Sequence, residues 1–259
     1  MDRTIQHFRD HGWMRVPQAF DADAAAAMRD AVWRELAADG IARDRPSTWT
    51  VERPAHLQKL KNDPLFLRVG SERLRAAIDE VLGSKTYDAP RDWGAFFLAF
   101  PGDTPWNIPS GGWHVDAKYT SPLWPAGGVK TFALLGDLDP RGGGTLFVSG
   151  SHRLVHRWFR ANPPPPEAKS ADMRKLLMAH PYIRDLHRPG DPEQRIACFM
   201  DRAEYDGGIP LQVVEQTGSA GDVFLVHPLV MHVAAPNTTA RPRFLLSGGI
   251  TTDGWGWGP

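Results

Sequence analysis

The chain lacks several features that would assign it to a specialised class of protein. Cys198 is the one cysteine among 259 residues, so neither an intramolecular disulfide nor a cysteine-based zinc site can form. No apolar run reaches the roughly 18 residues of a membrane-spanning helix, and residues 1–13 are charged and amphipathic. We therefore expect no membrane span, no secretory signal and a cytoplasmic location.

An excess of charge of either sign is absent too. Thirty basic residues balance 30 acidic ones, which gives no electrostatic reason to expect a nucleic-acid or membrane partner. By contrast, the 23 prolines, 25 glycines and 10 tryptophans are numerous. Such a composition indicates many turns, many short strands and an interior lined with aromatic side chains.

Helix signals are concentrated in the first third of the chain. One amphipathic stretch has Asp21 as its candidate N-cap and Gly40 as its stop, and a second lies between Ser71 and Gly83. Because these stretches carry apolar residues at helical spacing, we expect residues 1–90 to be mainly helical.

From Trp93 onward the pattern changes to short β-type runs separated by Gly, Pro and Asp. The runs are WGAFFLAF, VKTFALLGDL, TLFVS, LQVVEQ, DVFLVH and RFLLSGGI. A proline-rich stretch with one short amphipathic helix interrupts them at about 153–210, and an insertion of this length is typical of a lid or binding loop. We expect a single domain over 1–259, mainly β with flanking helices, whose part 91–259 is a jelly roll with this lid-like insertion.

A candidate metal site begins with the sequence GGWHVD. Residues i and i+2 of an extended strand face the same way, so His114 and Asp116 converge while Val115 points into packing. A facial triad, the arrangement of non-haem iron enzymes, needs one more histidine. His227 and His232 are both available in the stretch GDVFLVHPLVMH, and their spacing of five would point them to opposite faces of one strand.

An arginine further along this segment could bind an organic acid. Arg241 and Arg243 both follow the two histidines, and a guanidinium suits a carboxylate because two parallel N–H donors meet two oxygens. Taken alone, however, the HxD pair is more often an ordinary solvated or hydrogen-bonded pair. The residues by themselves therefore leave the third ligand and the arginine undecided.

The chain resembles the phytanoyl-CoA dioxygenase (PhyH) family of Fe(II)/2-oxoglutarate oxygenases. The resemblance lies in the segments WHVD, GGGTLFVSGSH and GDVFLVHPLVMHVAAPNTTARPRF, and the opening FRDHGWMRVPQAFD is similar as well. It implies a double-stranded β-helix (cupin-like) core, Fe(II) as the metal, and 2-oxoglutarate and O2 as cosubstrates. By position in the family motifs, the resemblance assigns iron binding to His114, Asp116 and His232. It assigns 2-oxoglutarate binding to Arg243, eleven residues after His232.

Further residues are candidates for the site on weaker grounds. The family often has a cosubstrate partner on the strand after HxD, where Thr131 lies, and another before the second helix, where Gln58 lies. For substrate binding we consider four residues, one beside a ligand, two beyond the HxD pair and one in the insertion: Trp113, Lys118, Tyr119 and Arg157. Their alternative roles are core packing for Trp113 and a solvated loop for the two residues beyond HxD.

The resemblance implies hydroxylation of an unactivated C–H bond in a small-molecule metabolite, with release of succinate and CO2. The carboxylate of Asp116 argues against halogenation, since the family's halogenases have a small residue there. Desaturation, epoxidation or cyclisation on the same iron is the alternative reaction. A non-enzymatic or 2-oxoglutarate-independent metal-binding jelly roll is the alternative class. Arginines outnumber lysines by 23 to 7, a bias of GC-rich bacteria that suggests specialised metabolism.

Overall fold

The computed structural model describes residues 3–50, 56–83, 86–117, 122–163, 165, 170–253 and 255. Within these residues about 36% are helical and 22% are in strands. The expectation of a mainly β protein was therefore wrong in its proportions, although antiparallel sheets with flanking helices are present. No described helix is both long and apolar enough to cross a membrane.

The helices and strands follow one another along the chain with these bounds. The α-helices are α1 (Arg3–His11), α2 (Ala22–Ala38), α3 (Glu72–Leu82), α4 (Ser151–Ala161), α5 (Ser170–Leu177), α6 (Pro181–Leu186) and α7 (Pro192–Phe199), with 3-10 helices at Pro46–Thr48, His56–Asn62 and Pro64–Val69. The strands are β1 (Trp13–Val16), β2 (Ala95–Ala99), β3 (Gly128–Leu134), β4 (Thr145–Ser149), β5 (Glu204–Asp206), β6 (Ile209–Glu215), β7 (Val223–Val226), β8 (His232–Ala234) and β9 (Arg243–Thr251).

The ends of α2 and α3 confirm the capping residues expected from the sequence. The Asp21 carboxylate accepts a hydrogen bond from the backbone N–H of Asp23, and the Ser71 hydroxyl accepts one from that of Leu74. Gly83 ends α3 in the left-handed conformation, at φ 65°. Gly40 likewise ends α2 just after the C-cap Asp39: it is left-handed at φ 77°, its N–H donates to the carbonyl of Ala37, and the N–H of Ile41 donates to that of Leu36.

The strands form two antiparallel sheets. The larger sheet has the order β1-β7-β3-β9-β2 and the smaller one β5-β6-β4-β8. Each of the six β-type runs contains or overlaps a strand, whereas β1, β5 and β8 were not expected. These three strands are only three or four residues long, too short to produce a clear alternating pattern.

The space between the sheets is filled by aromatic and aliphatic side chains. Phe132, Phe147, Phe224 and Leu245, one each from β3, β4, β7 and β9, belong to one buried cluster. Their neighbours in sequence on β3 and β7 face the opposite way and pack against α1, α2, α3 and the 3-10 helices. The larger sheet is therefore covered by the N-terminal helices on its outer face and by the smaller sheet on its inner face.

The insertion contains more helix than the sequence indicated. Helices α4 to α7 lie in or beside residues 153–210, where one short helix was expected. Val155, Phe159, Ile183 and Leu186 of α4 and α6 share a buried cluster with residues such as Val148 on the outer face of the smaller sheet. These helices thus cover that sheet from outside, as the N-terminal helices cover the other.

His227 is a buried histidine whose two ring nitrogens both have backbone partners. Nδ1 accepts a hydrogen bond from the N–H of Leu229 at 3.1 Å, so Nε2 carries the proton that it donates to the carbonyl of Pro122 at 3.0 Å. The pKa of His227 is lowered to about 4, chiefly by burial; the hydrogen bond to Pro122 acts in the opposite direction, and His156 contributes to the lowering. The imidazole is therefore neutral in the folded protein at neutral pH.

This burial predicts acid-sensitive stability. Between its folded pKa of about 4 and the ordinary 6.5, His227 binds a proton only in the unfolded chain, so lowering the pH favours unfolding. From about pH 7.5 to about pH 5, we expect His227 to contribute a loss of about 2 kcal/mol in the free energy of unfolding. Denaturant titrations of metal-free protein measure it, and His227→Gln should show a correspondingly smaller loss over the same interval. An identical loss in the variant would contradict the assignment.

Candidate metal centre

The HxD segment is held beside β8 by backbone pairing. The N–H of His114 donates to the carbonyl of His232 at 3.2 Å, and the N–H of His232 donates back to His114 at 2.9 Å. Two residues later, the N–H of Asp116 donates to the carbonyl of Pro228 at 3.0 Å. The segment thus extends the smaller sheet beyond β8, which places the two histidines directly opposite each other.

The three side chains expected to bind metal come together at this pairing. His114 Nε2 lies 3.8 Å from Asp116 Oδ1, and His232 Nε2 lies 3.5 Å from Asp116 Oδ2. One donor atom from each residue lies within 4.8 Å of the other two. The rings of the two histidines have their centroids 4.3 Å apart. Of the two candidate histidines, His232 is therefore the one that lies with His114 and Asp116, whereas the ring nitrogens of His227 are bound to Leu229 and Pro122.

Backbone carbonyls fix the tautomers of both histidines. His114 Nδ1 lies 2.8 Å from the carbonyl of Gly112, and His232 Nδ1 lies 3.0 Å from that of Val230. A carbonyl can only accept, so each neutral ring must carry its proton on Nδ1. Both Nε2 atoms consequently present a lone pair towards Asp116, as metal-binding imidazoles do.

Burial keeps His232 neutral and leaves one side of the site open. Desolvation lowers the pKa of His232 to about 4, although the Asp116 carboxylate beside it acts in the opposite direction. The side chain of His232 is 8% exposed, that of Asp116 is 22% exposed and that of His114 is 47% exposed. The donors therefore lie on an inner wall with access from the His114 side.

These donors fit a divalent transition metal. Two imidazole nitrogens and one carboxylate oxygen are the donor set of the facial triad of non-haem Fe(II) enzymes. Bound ions hold such donors at about 2.0–2.2 Å, so neighbouring donors lie roughly 3 Å apart, slightly closer than here. Asp116 Oδ2 is buried and makes no hydrogen bond among the described residues, and the Nζ of Lys130 lies 3.4 Å from it.

Arg243 is the arginine that faces the interior. It is the first residue of β9, lies on the same face as Leu245 and is 4% exposed. Its guanidinium donates to the carbonyl of Gly143. Arg241, the other candidate, is exposed and forms an ion pair with Asp139.

Thr131 and Gln58 do not lie with the triad. Thr131 shares the outer face of β3 with Val129 and Ala133, which pack against the N-terminal helices. Gln58 binds the edge of the larger sheet, where its side-chain amide accepts from the N–H of Phe96 and donates to its carbonyl, both at 3.3 Å. That amide satisfies backbone groups of an edge strand that would otherwise lack a partner.

The expected substrate-binding residues are also placed apart from the triad or lie outside the described residues. Trp113 is buried in the cluster outside the smaller sheet and donates its indole N–H to the carbonyl of Pro109 at 2.8 Å. Arg157 forms an ion pair with Asp206 and donates to the backbone of Gly207. Lys118 and Tyr119 lie outside the described part of the chain.

Lys130 is the charged residue near the triad that the sequence did not reveal. It lies on β3 one residue before Thr131 and faces inward with Phe132, so that its Nζ is 3.4 Å from Asp116 Oδ2. The alternation of the run VKTFALL contained this information, since Lys130 and Phe132 must share a face. Which face is the inner one could not be read from that run, because both faces of β3 are buried.

A cavity of about 440 Å³ opens where β9 ends. Gly249, which lines it, is the ladder partner of Lys130 across β3 and β9. The Trp255 ring also lines it and lies so close to Gly127 and Gly128 that a Cβ atom on Gly128 would be 2.4 Å from the indole. The remaining lining residues are mostly polar: Asp88, Ala89, Pro90, Arg91, Asp92, Ile250, Thr251, Thr252 and Asp253.

Comparison with models of protein families assigns the chain to a family. Residues 8–245 match the model of the family "Phytanoyl-CoA dioxygenase (PhyH)". The chain therefore belongs to the phytanoyl-CoA dioxygenase family, as its HxD, distal histidine and arginine indicated. No curated protein sequence is similar enough to this chain to count as a match.

Solved structures of low sequence identity share the fold. AviO1 from Streptomyces viridochromogenes Tue57 is similar with a TM-score of 0.58 and 19% identity over 98% of this chain and 97% of that one. The epimerase SnoN, in complex with Fe3+, alpha-ketoglutarate and nogalamycin RO, gives 0.54 and 18% over 96% and 82%. HygX from Streptomyces hygroscopicus, with nickel and 2-oxoglutarate bound, gives 0.53 and 17% over 98% and 88%.

The geometry predicts that metal binding depends on three side chains. Asp116→Ala or His232→Ala should weaken binding of Co(II) to the metal-free protein by at least about 100-fold, because two donors hold an ion poorly. Isothermal titration, with the visible spectrum of bound Co(II), measures the affinity. His227→Gln is the matched control and should bind Co(II) with the same affinity as the unsubstituted protein. Equal affinities in the Asp116 variant and the control would refute this site.

Proposed function

We propose that the protein is a non-haem Fe(II)/2-oxoglutarate-dependent dioxygenase that hydroxylates an unactivated C–H bond of a small molecule, releasing succinate and CO2. The observation that carries this proposal is the convergence of His114, Asp116 and His232 on one point of the interior. Membership of the phytanoyl-CoA dioxygenase family supports the same class of chemistry.

In this proposal the triad holds Fe(II) from one side. Bound Fe(II), together with 2-oxoglutarate and O2, supplies the oxidising chemistry that protein side chains lack. The two histidines contribute neutral nitrogen donors because Gly112 and Val230 hold their Nδ1 protons. Asp116 contributes the negative charge. Since all three donors come from one wall of the site, these residues would hold the ion from that wall and leave room for the cosubstrate and oxygen to bind.

Arg243 would bind the distal carboxylate of 2-oxoglutarate. It shares the inner face of β9 with Ser247, which is the ladder partner of Phe132, and the ring of Phe132 lies 5.8 Å from that of His232. Four residues of strand span about 13 Å, a distance that an arginine side chain and a five-carbon diacid can bridge together. The burial of Arg243 strengthens a charge-assisted, bidentate contact by excluding water.

The cavity beside Gly249 and Trp255 is the place where we expect the substrate. None of its lining residues belongs to the triad; the link to the triad is Gly249, the ladder partner of Lys130, which forms an ion pair with Asp116. Its volume of about 440 Å³ suits a small molecule or part of a larger one. The walls would orient a substrate C–H bond towards the ion and exclude water, which is the contribution of the protein to such reactions.

A second outcome on the same iron is supported by two structures of similar fold. SnoN is an epimerase, and SnoK is a carbocyclase. Both names describe reactions that add no hydroxyl group to the substrate. Epimerisation, cyclisation, desaturation or epoxidation is therefore the alternative to hydroxylation, with the same roles for the triad and Arg243.

The first test is the optical signature of chelated cosubstrate. Anaerobic addition of Fe(II) and 2-oxoglutarate should produce the weak visible charge-transfer band of a keto acid bound to iron. Perturbation of that band across a panel of metabolites then narrows the substrate. A protein that binds Fe(II) but gives no band with 2-oxoglutarate would point to the alternative of a 2-oxoglutarate-independent metal site.

Substitutions of Arg243 and Arg241 are a matched test and control for binding of the cosubstrate. Arg243→Met should weaken 2-oxoglutarate binding by roughly 10- to 100-fold, the effect of losing a hydrogen-bonded charge. Arg241→Met should change it less than about 3-fold, because that side chain is exposed and paired with Asp139. Titration of the charge-transfer band gives both constants. The assignment of Arg243 fails if the two variants bind 2-oxoglutarate equally well.

A further inference from the structure

Lys130 joins the two sheets at the candidate metal centre. Its Nζ lies 3.4 Å from Asp116 Oδ2, and the two side chains are 21% and 22% exposed. Lys130 belongs to the larger sheet, whereas Asp116 belongs to the segment that extends the smaller one. The ion pair therefore crosses the interior at the point where the donors converge.

The surroundings hold the ammonium group where it is. Nζ lies 6.0 Å from the centre of the Phe132 ring, within reach of a cation–π interaction. The same ring meets His232 edge-on, with centroids 5.8 Å apart and planes at 77°. Across the ladder from Lys130 stands Gly249, which has no side chain that could compete for the position. One aromatic ring thus supports both a metal donor and the lysine.

We propose that Lys130 is a positioning residue for Asp116, so that the carboxylate binds the metal through one oxygen only. The inference rests on the proposed metal site. A carboxylate has two oxygens, and a second metal bond from Asp116 would occupy a position that the cosubstrate or oxygen needs. The ion pair with Lys130 is made by Oδ2, so we assign Oδ1, which lies 3.8 Å from His114 Nε2, to the ion. Partners of metal-binding carboxylates commonly orient the ligand in this way.

The proposal predicts that removal of Lys130 weakens metal binding, whereas simple electrostatics predicts that it strengthens metal binding. A positive charge near a divalent cation repels it, so a lysine that only contributed charge would weaken metal binding, and its removal would strengthen it. A lysine that orients the ligand does the reverse. Loss of such a partner typically weakens metal affinity by about 10- to 100-fold.

The test is Co(II) binding to the metal-free protein without cosubstrate, measured by titration of the cobalt spectrum. Lys130→Met keeps the length of the side chain but removes the ammonium, and it should bind Co(II) about 10- to 100-fold more weakly. Lys130→Arg restores a cationic donor and should recover most of the affinity. Lys59→Met is the control for loss of a lysine, since that side chain is 64% exposed and lies on a 3-10 helix away from the site.

The outcomes separate this inference from the proposed function. If the original protein binds no Co(II), the metal site itself is refuted. If it binds Co(II) and Lys130→Met binds it equally or more tightly, the positioning role is overturned and the site stands. If the ion pair were merely structural, its loss in Lys130→Met would lower the melting temperature of the metal-free protein and leave the affinity for Co(II) unchanged. Should the methionine variant not fold, Lys130→Ala, which removes the donor without adding bulk, carries the comparison: loss of affinity supports the role, and unchanged affinity overturns it.

Discussion

The reciprocal backbone hydrogen bonds between His114 and His232 are the constraint on which the site depends. They fix two imidazoles side by side although the residues are far apart in the sequence, and the strand alternation then brings Asp116 to the same face. Carbonyls within two residues of each histidine set the tautomer. The donor set is thus positioned almost entirely by the backbone, which leaves the side chains little freedom to lose when an ion binds.

The layers around the two sheets explain why the chemistry lies in the interior. Helices cover the outer face of each sheet, so apolar burial stabilises both layers from outside. Between the sheets, phenylalanines fill the space as far as Phe132, which contacts His232. Beyond that ring the lining becomes charged, with Lys130 and Asp116 facing each other across the gap. The site therefore begins where the apolar core ends, and the low exposure of His232 follows from that position.

Sequence patterns were sufficient for the local features and insufficient for the distant ones. The spacing of His114 and Asp116, the caps at Asp21 and Ser71, and the six main strand runs follow from periodicity and turn chemistry. The contact between His114 and His232 does not follow from such patterns, because residue spacing carries no information about which strands pair. The family resemblance supplied this pairing. The inner face of β3 was equally hidden, since burial on both faces removes the polar alternation that would have favoured Lys130 over Thr131. The helices of the insertion became apparent only through their packing on the smaller sheet.

The most direct test of this account is a crystal structure of the iron-loaded protein with anomalous data collected at the iron absorption edge. The account predicts one strong anomalous peak within bonding distance of His114 Nε2, His232 Nε2 and a single oxygen of Asp116. A peak bound elsewhere, or an ion held by His227 in place of His232, would contradict it.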